Sequence, residues 1–221
     1  MITSLDHFVL ICPEIETATT DYQTLLGEEP VWRAESADTA SSIFAVGNTA
    51  IELLAPNGDG DVAAKLREMT KDGAVLTSLV YRSDDLAQDH HEMKRRGLSP
   101  EDIGDGESTN EDTGASRSWQ RFRIPDQVMA GIKTFVLQTD APLIAAHPSP
   151  GSATGLDHLV INTPKPERAV ANYGARLGLR FALDRTAEQW KPSFLFFHQP
   201  ARRRARPRRP GSYLGPDLGN R

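Results

Sequence analysis

The chain has 221 residues, enough for one large or two small domains, and its 38% hydrophobic and 25% charged content is that of a globular protein able to bury a core. No stretch approaches the roughly 18 apolar residues of a membrane helix, no basic-then-apolar leader opens the chain, and the single cysteine, Cys12, rules out an internal disulfide framework, so a cytoplasmic location is expected. The formal net charge of −5 is unevenly spread: residues 199–221 hold seven of the 25 basic and one of the 30 acidic side chains, leaving residues 1–198 with 18 and 29, a net of −11, and an acidic body argues against nucleic acid as partner.

In chain order, residues 5–12 form an apolar run of strand length, and Cys12 at its end reads as a buried structural thiol. After Pro13, Ile15, Ala18, Tyr22 and Leu25/Leu26 recur at helical spacing until Gly27 stops them. Residues 31–35, 42–46 and 50–54 read as strands, the last two joined by a Gly47-Asn48 turn. This is a βαβββ unit. A polar connection and a short helix over 62–70 follow, and the pattern then returns in other letters. A strand over 74–81 leads to a helix over 84–96, with Leu86, His90 and Met93 on one side. An exposed loop over 104–116, rich in Gly, Asp, Glu, Ser and Thr, precedes strands over 119–124 and 132–138. A second, diverged βαβββ unit is the economical reading, and residues 141–152, with three prolines, form a linker.

Beyond the linker the chain repeats itself. Leu5-Asp6-His7-Phe8-Val9-Leu10 returns 151 residues later as Leu156-Asp157-His158-Leu159-Val160-Ile161, and Pro13, Glu16, Ala18, Tyr22, Leu26 and Gly27 return as Pro164, Glu167, Ala169, Tyr173, Leu177 and Gly178. The same offset sets residues 42–46 against a strand over 193–197, but residues 48–54 face Gln199-Pro200-Ala201-Arg202-Arg203-Arg204-Ala205, which cannot be a buried strand. The third unit therefore reads as cut short near 198, before an Arg/Pro-rich tail over 199–221 that is too poor in apolar surface to order itself. A reading-frame shift near His198 and a genuine basic arm both account for the tail. An unfinished unit also leaves an unpaired sheet edge, which predicts a homodimer or edge-mediated self-association.

His7 and Glu52 are the polar pair to weigh, each inside an apolar strand, where an ionised glutamate costs several kcal/mol unless compensated. A divalent metal is one compensator, since imidazole and carboxylate together suit zinc, iron, manganese or nickel. The alternative is that strand alternation turns Glu52 to solvent while His7 makes a structural hydrogen bond. His90-His91 are adjacent on a surface helix and do not converge on one ion. Trp119, Arg121 and Arg123 share one strand face, more often a solvent face than an anion pocket.

The pattern Leu-Asp-His-hydrophobic-Val, then Pro-x-x-Glu-x-Ala-x-x-x-Tyr-x-x-x-Leu-Gly and a later Ile-Glu-Leu-Leu resembles the vicinal oxygen chelate superfamily. That superfamily includes glyoxalase I, extradiol dioxygenases, methylmalonyl-CoA epimerase and the bleomycin-resistance proteins. The resemblance spans about residues 1–197, strongest in the first and third units. It implies an α+β fold in which tandem βαβββ units pair into a cupped mixed sheet: one complete paired domain (1–140), a linker (141–152) and an incomplete third unit (153–198). It also implies metal ligands on first and fourth strands, here His7 and Glu52 and, in the repeat, His158. The matching positions of unit two are Ser78 and, at best, Gln138, while Arg203 stands where the repeat's glutamate should be. The implied function is a divalent-metal-dependent (Fe, Mn, Ni or Zn) enzyme of the glyoxalase I lyase or extradiol dioxygenase type, acting on a small oxygenated metabolite. No catalytic base is assigned. The rivals are a metal-free small-molecule binding protein of the bleomycin-resistance type and a truncated, inactive product.

Overall fold

The first strand organises the molecule, because β1 (Ile2–Ile11) is buried almost throughout and can lie only at the middle of a sheet. In the computed structural model, which describes residues 1–129, 131–141, 143, 150–186 and 193–198, β1 pairs in parallel with β4 (Thr49–Pro56) and antiparallel with β5 (Val75–Ser83). Around this centre an eight-stranded mixed sheet runs β2-β3-β4-β1-β5-β8-β7-β6. Its halves are the two expected βαβββ units. The first is β1, α1 (Ile15–Leu26), β2 (Trp32–Glu35), β3 (Thr39–Val46) and β4. The second, reached through α2 (Asp61–Met69), is β5, α3 (Leu86–Arg95), β6 (Gly104–Thr109), β7 (Ser116–Ile124) and β8 (Lys133–Gln138).

In α1 and α3 the caps and the apolar spacing agree. Glu14 accepts the Glu16 and Thr17 amides at the start of α1, whose Ile15, Ala18, Tyr22 and Leu26 pack on the outer face of the sheet; Leu25 is exposed instead. Asp85 caps α3, and Leu86 and Met93 enter the same core with Phe8, Phe44, Leu53, Phe122 and Val136. Cys12 is buried as expected, its thiol facing the Leu54 carbonyl at 3.5 Å. The opposite, inner face carries a smaller apolar floor of Val9, Val80 and Leu137, with Leu54, Trp119 and Phe135 against it.

The strand β6 corrects the expected loop over 104–116. Its letters, Gly-Asp-Gly-Glu-Ser-Thr, carry no apolar alternation, so the ladder to β7 and a partner across the sheet hold it rather than burial. That partner is the opposite edge: the Trp32 indole donates to Ser108 Oγ at 2.9 Å, and the Glu111 amide donates to the Arg33 carbonyl at 3.0 Å. These bonds draw the two edges together and nearly close the sheet into a cup.

The repeat behaves differently from its first copy. Residues 156–161 form no strand; Leu156, Leu159 and Ile161 lie half-buried against the outer core. The segment enters at the end of α1, where the Ala153 amide bonds the Leu26 carbonyl, and Asn48 clasps Leu156 by both its amide (2.9 Å) and its carbonyl (2.8 Å). Gly47 allows this approach, since a Cβ there would lie 1.9 Å from the Thr154 carbonyl oxygen. A helix follows, α4 (Pro166–Ala169), continuing as π-helical turns over Val170–Arg176. It places Tyr173, Leu177 and Leu179 in the outer core, and Arg168 and Asn172 bond the Gln127 and Val128 carbonyls. It ends beside α3, where Arg96 reaches the Arg176 carbonyl. The segment buries its apolar side on the existing sheet. The hairpin of β9 (Arg180–Thr186) and β10 (Ser193–His198) is a separate two-stranded sheet that exposes Phe181 and Phe196. The tail over 199–221 and most of the linker over 141–152 lie outside the described residues.

Asn48→Ala removes both bonds to Leu156 and is expected to cost about 1–2 kcal/mol while speeding amide exchange over 153–162. Hydrogen exchange read by mass spectrometry checks this, and unchanged protection there contradicts the docked placement.

Candidate functional site

The site begins with an irregularity in β1. Leu5 faces Tyr81 and His7 faces Val80, so Asp6 is an extra residue in the ladder, and this bulge turns its carboxylate alongside the neighbouring imidazole. Asp6 Oδ1 lies 2.8 Å from His7 Nδ1, and Asp6 Oδ2 accepts from Arg82 Nε at 2.7 Å and from Arg82 Nη2. On its other side His7 Nε2 is 3.3 Å from Glu52 Oε2. Glu52 is neither turned to solvent nor fully enclosed; its side chain is 22% exposed and opens on a cleft of about 680 Å³.

The charges determine the protonation state. Burial alone would lower the His7 pKa, but the hydrogen bonds to Asp6 and Glu52 and their negative charges raise it from 6.5 to about 9. Burial would likewise raise the Glu52 carboxyl, yet the His7 hydrogen bond and charge, with Arg117 and Arg121 beyond, hold it below its ordinary value. Asp6 is depressed in the same way, against its own burial, by His7 and then Arg82. An imidazolium thus sits between two carboxylates.

The inner face of β7 supplies the remaining cations. Trp119, Arg121 and Arg123 do share a face, and it is the cup face: Arg121 lies 5.1 Å and Arg123 5.9 Å from the Phe135 ring centroid. Arg123 is also paired with Asp126 at 2.7 Å. Arg117 falls between the loop expected over 104–116 and the strand expected over 119–124, and belongs to β7. Arg117 is only 7% exposed, with its guanidinium over both Trp32 (5.7 Å) and Trp119 (5.0 Å). Extending the alternation of β7 back by two residues from Trp119 would have found it. His90 lies apart on α3, against Phe122 and the Glu101 carbonyl.

Sheet register tests the metal reading. His7 and Glu52 stand on β1 and β4, with His7 opposite Ala50 and Val9 opposite Glu52; in the second unit Ser78 is opposite Lys133 and Val80 opposite Phe135. Across the central pair His7 meets Val80 and Val9 meets Ser78, so pseudo-symmetry matches His7 with Ser78 and Glu52 with Phe135. Gln138 takes no part, because its Oε1 accepts the Leu86 amide on the helix side. His158 is not brought to the pair: its side chain is 66% exposed and bonded to Asp157. Among the described residues no group of three or more His, Cys, Asp and Glu side chains is arranged so as to hold a metal ion. The donors at the cup, one imidazole and one carboxylate already bonded to each other, do not fit an ion held by four protein ligands.

The raised His7 pKa contributes stability that is complete below 6.5 and lost as pH climbs to about 9, while the depressed Asp6 and Glu52 lose theirs as pH falls below 3.8 and 4.5. Chemical denaturation across pH is therefore expected to show greatest stability between about pH 5 and 6.5, and His7→Gln to flatten the alkaline limb. An alkaline limb unchanged in that variant contradicts the charged network.

The profile of the glyoxalase-like domain family matches residues 5–178, from the start of the repeat's first copy through the segment docked on the outer face. A curated ethylmalonyl-CoA/methylmalonyl-CoA epimerase of Cereibacter sphaeroides is 28% identical over 109 residues, which is 48% of this chain and 79% of that protein. Among solved structures, methylmalonyl-CoA epimerase from Mycobacterium tuberculosis aligns with a TM-score of 0.52 at 18% identity over 63% of this chain and 90% of its own. A hypothetical protein from Bacillus halodurans aligns at 0.51 and 16% identity over 64% and 97%. The profile match over most of the length, carried on a cupped sheet of paired βαβββ units, means that this chain belongs to the glyoxalase-like domain family of the vicinal oxygen chelate superfamily.

Proposed function

We propose that the cup takes a small oxygenated metabolite with a proton on the carbon next to a carbonyl, and that Glu52 removes and returns that proton. The observation that carries this is an ionised glutamate at the edge of an open cleft, held by His7 and surrounded by arginines. In such a step the C–H pair moves into a carbon–carbon double bond, the carbonyl oxygen becomes an enolate oxygen, and the proton rests on Glu52 Oε until it returns. The anion needs a compensating positive charge. A metal supplies it in Lewis-acid catalysis, whereas here the guanidinium groups of Arg117 and Arg121 and the His7 imidazolium are the cations nearest Glu52. The name of the curated relative, an epimerase of CoA thioesters, is consistent with proton transfer at such a carbon.

A second reading keeps the metal. His7 Nε2 and Glu52 Oε2 are 3.3 Å apart, as two ligands of one ion can be, and a chelating substrate would then complete the coordination.

Incubation in D2O with a panel of small 2-oxo acids, 2-hydroxyketones and methylmalonyl-CoA, followed by NMR, separates these readings. The protein is expected to wash out the α-proton of at least one compound, about 100-fold more slowly in Glu52→Gln, and at an unchanged rate after EDTA treatment. Exchange that survives in Glu52→Gln contradicts the base; exchange abolished by EDTA and restored by Mn, Fe, Ni or Zn favours the metal.

A further inference from the structure

Arg117 is the strangest residue in the cup. It is more than nine-tenths buried, yet it makes no hydrogen bond or ion pair with any described residue, and its Nε is enclosed without an acceptor. A buried guanidinium normally carries its charge against a carboxylate within reach, because an unpaired buried cation is costly. Asp6 and Glu52 attract Arg117 only through space; Asp6 is bonded to Arg82 and His7, and Glu52 to His7. The side chain is nonetheless held firmly, its guanidinium lying over Trp32 and over Trp119.

Both rings are themselves fixed. The Trp32 indole is tied to Ser108, and Trp119 packs on the bare backbone of Gly106, where a Cβ would lie 2.4 Å from the indole nitrogen. Arg117 also lines the cleft, with Ser108 and Glu52 lining the same space. A donor group positioned so carefully, and left without an acceptor, is one whose acceptor arrives with a ligand.

We propose that Arg117, held over Trp32 and Trp119, binds the carboxylate of the metabolite, so that the substrate class is small organic acids rather than neutral carbonyl compounds. This rests on the reading that the cup is the ligand site, and it specifies what that site takes. The shape favours a carboxylate over a phosphoryl group: a guanidinium held over two rings carries a planar N–H pair that matches two oxygens in a plane. Charge favours it as well. Glu35, Glu52 and Glu107 also line the cleft, and their repulsion is smaller for a singly charged acid than for a dianion.

The test is a titration of the metal-free full chain with propanoate, followed by NMR at the Trp32 and Trp119 indole N–H signals, with propanamide and inorganic phosphate as parallel probes. Propanoate is expected to shift both indole signals saturably, while propanamide and phosphate leave them in place. Arg117→Gln is expected to weaken propanoate binding about tenfold or more, with Arg117→Lys between the two. Equal responses to propanoate and propanamide, or to propanoate and phosphate, overturn the proposal, and these comparisons need no variant to fold. Propanoate binding retained in a folded Arg117→Gln overturns it too. Saturable propanoate binding by an unmodified chain that exchanges no α-proton overturns the proton-transfer reading and leaves the acid-binding group standing, whereas α-proton exchange without propanoate binding does the reverse.

Discussion

Two carboxylates inside the sheet, Asp6 and Glu52, dictate much of what surrounds them. Neither can stay ionised in such a place without cations, and the chain supplies them from four directions: His7 between the two, Arg82 from β5, and Arg117 and Arg121 from β7. The bulge in β1 that aims Asp6, the ring pair that holds Arg117 and the edge bonds that fold β7 over β4 all serve this compensation. The body of the protein is acidic, but its cup gathers guanidinium groups. Of these groups Arg117 lines the cleft into which Glu52 opens, and Arg121 acts on Glu52 through its charge.

The two βαβββ halves share a topology but carry different side chains at the cup. Pseudo-symmetry sets Ser78 against His7 and Phe135 against Glu52, so the second half carries neither the imidazole nor the carboxylate of the first. Its guanidinium groups Arg117 and Arg121 lie one strand further out, on β7. Arg121 rests over the Phe135 ring, in the position from which a second carboxylate would have met the first half's pair. The site is thus asymmetric, with acid and imidazole from one half and guanidinium from the other.

Much of this was legible in the sequence, and the parts that were not have physical reasons. The 3.6-residue and two-residue periods of residues 5–54, with Gly27 and Gly47-Asn48 as punctuation, give the first unit nearly to its boundaries, since there each element buries one apolar face. The pairing of His7 with Glu52 was readable from their places in first and fourth strands. The strand β6 was not, because a polar edge held by a cross-sheet indole bond leaves no apolar pattern. Arg117 went unseen with it. The register of β8 was three residues adrift, because a run such as Lys-Thr-Phe-Val-Leu-Gln shows which residues are apolar but not which one faces Val80. The repeat misled in one further respect: identical letters at 5–10 and 156–161 take different structures, since the first copy has strands on both sides and the second finds only the outer core. The family match running to residue 178 agrees with that segment being part of the same domain.

The protonation of His7 tests this account most directly. Nitrogen-15 chemical shifts of its imidazole in the metal-free protein should show both ring nitrogens protonated at pH 7.5, with titration delayed to about pH 9. A neutral ring at pH 7.5, with an unprotonated Nε2 free to ligate, would contradict the charge-compensated cup and return the pair to the role of metal ligands.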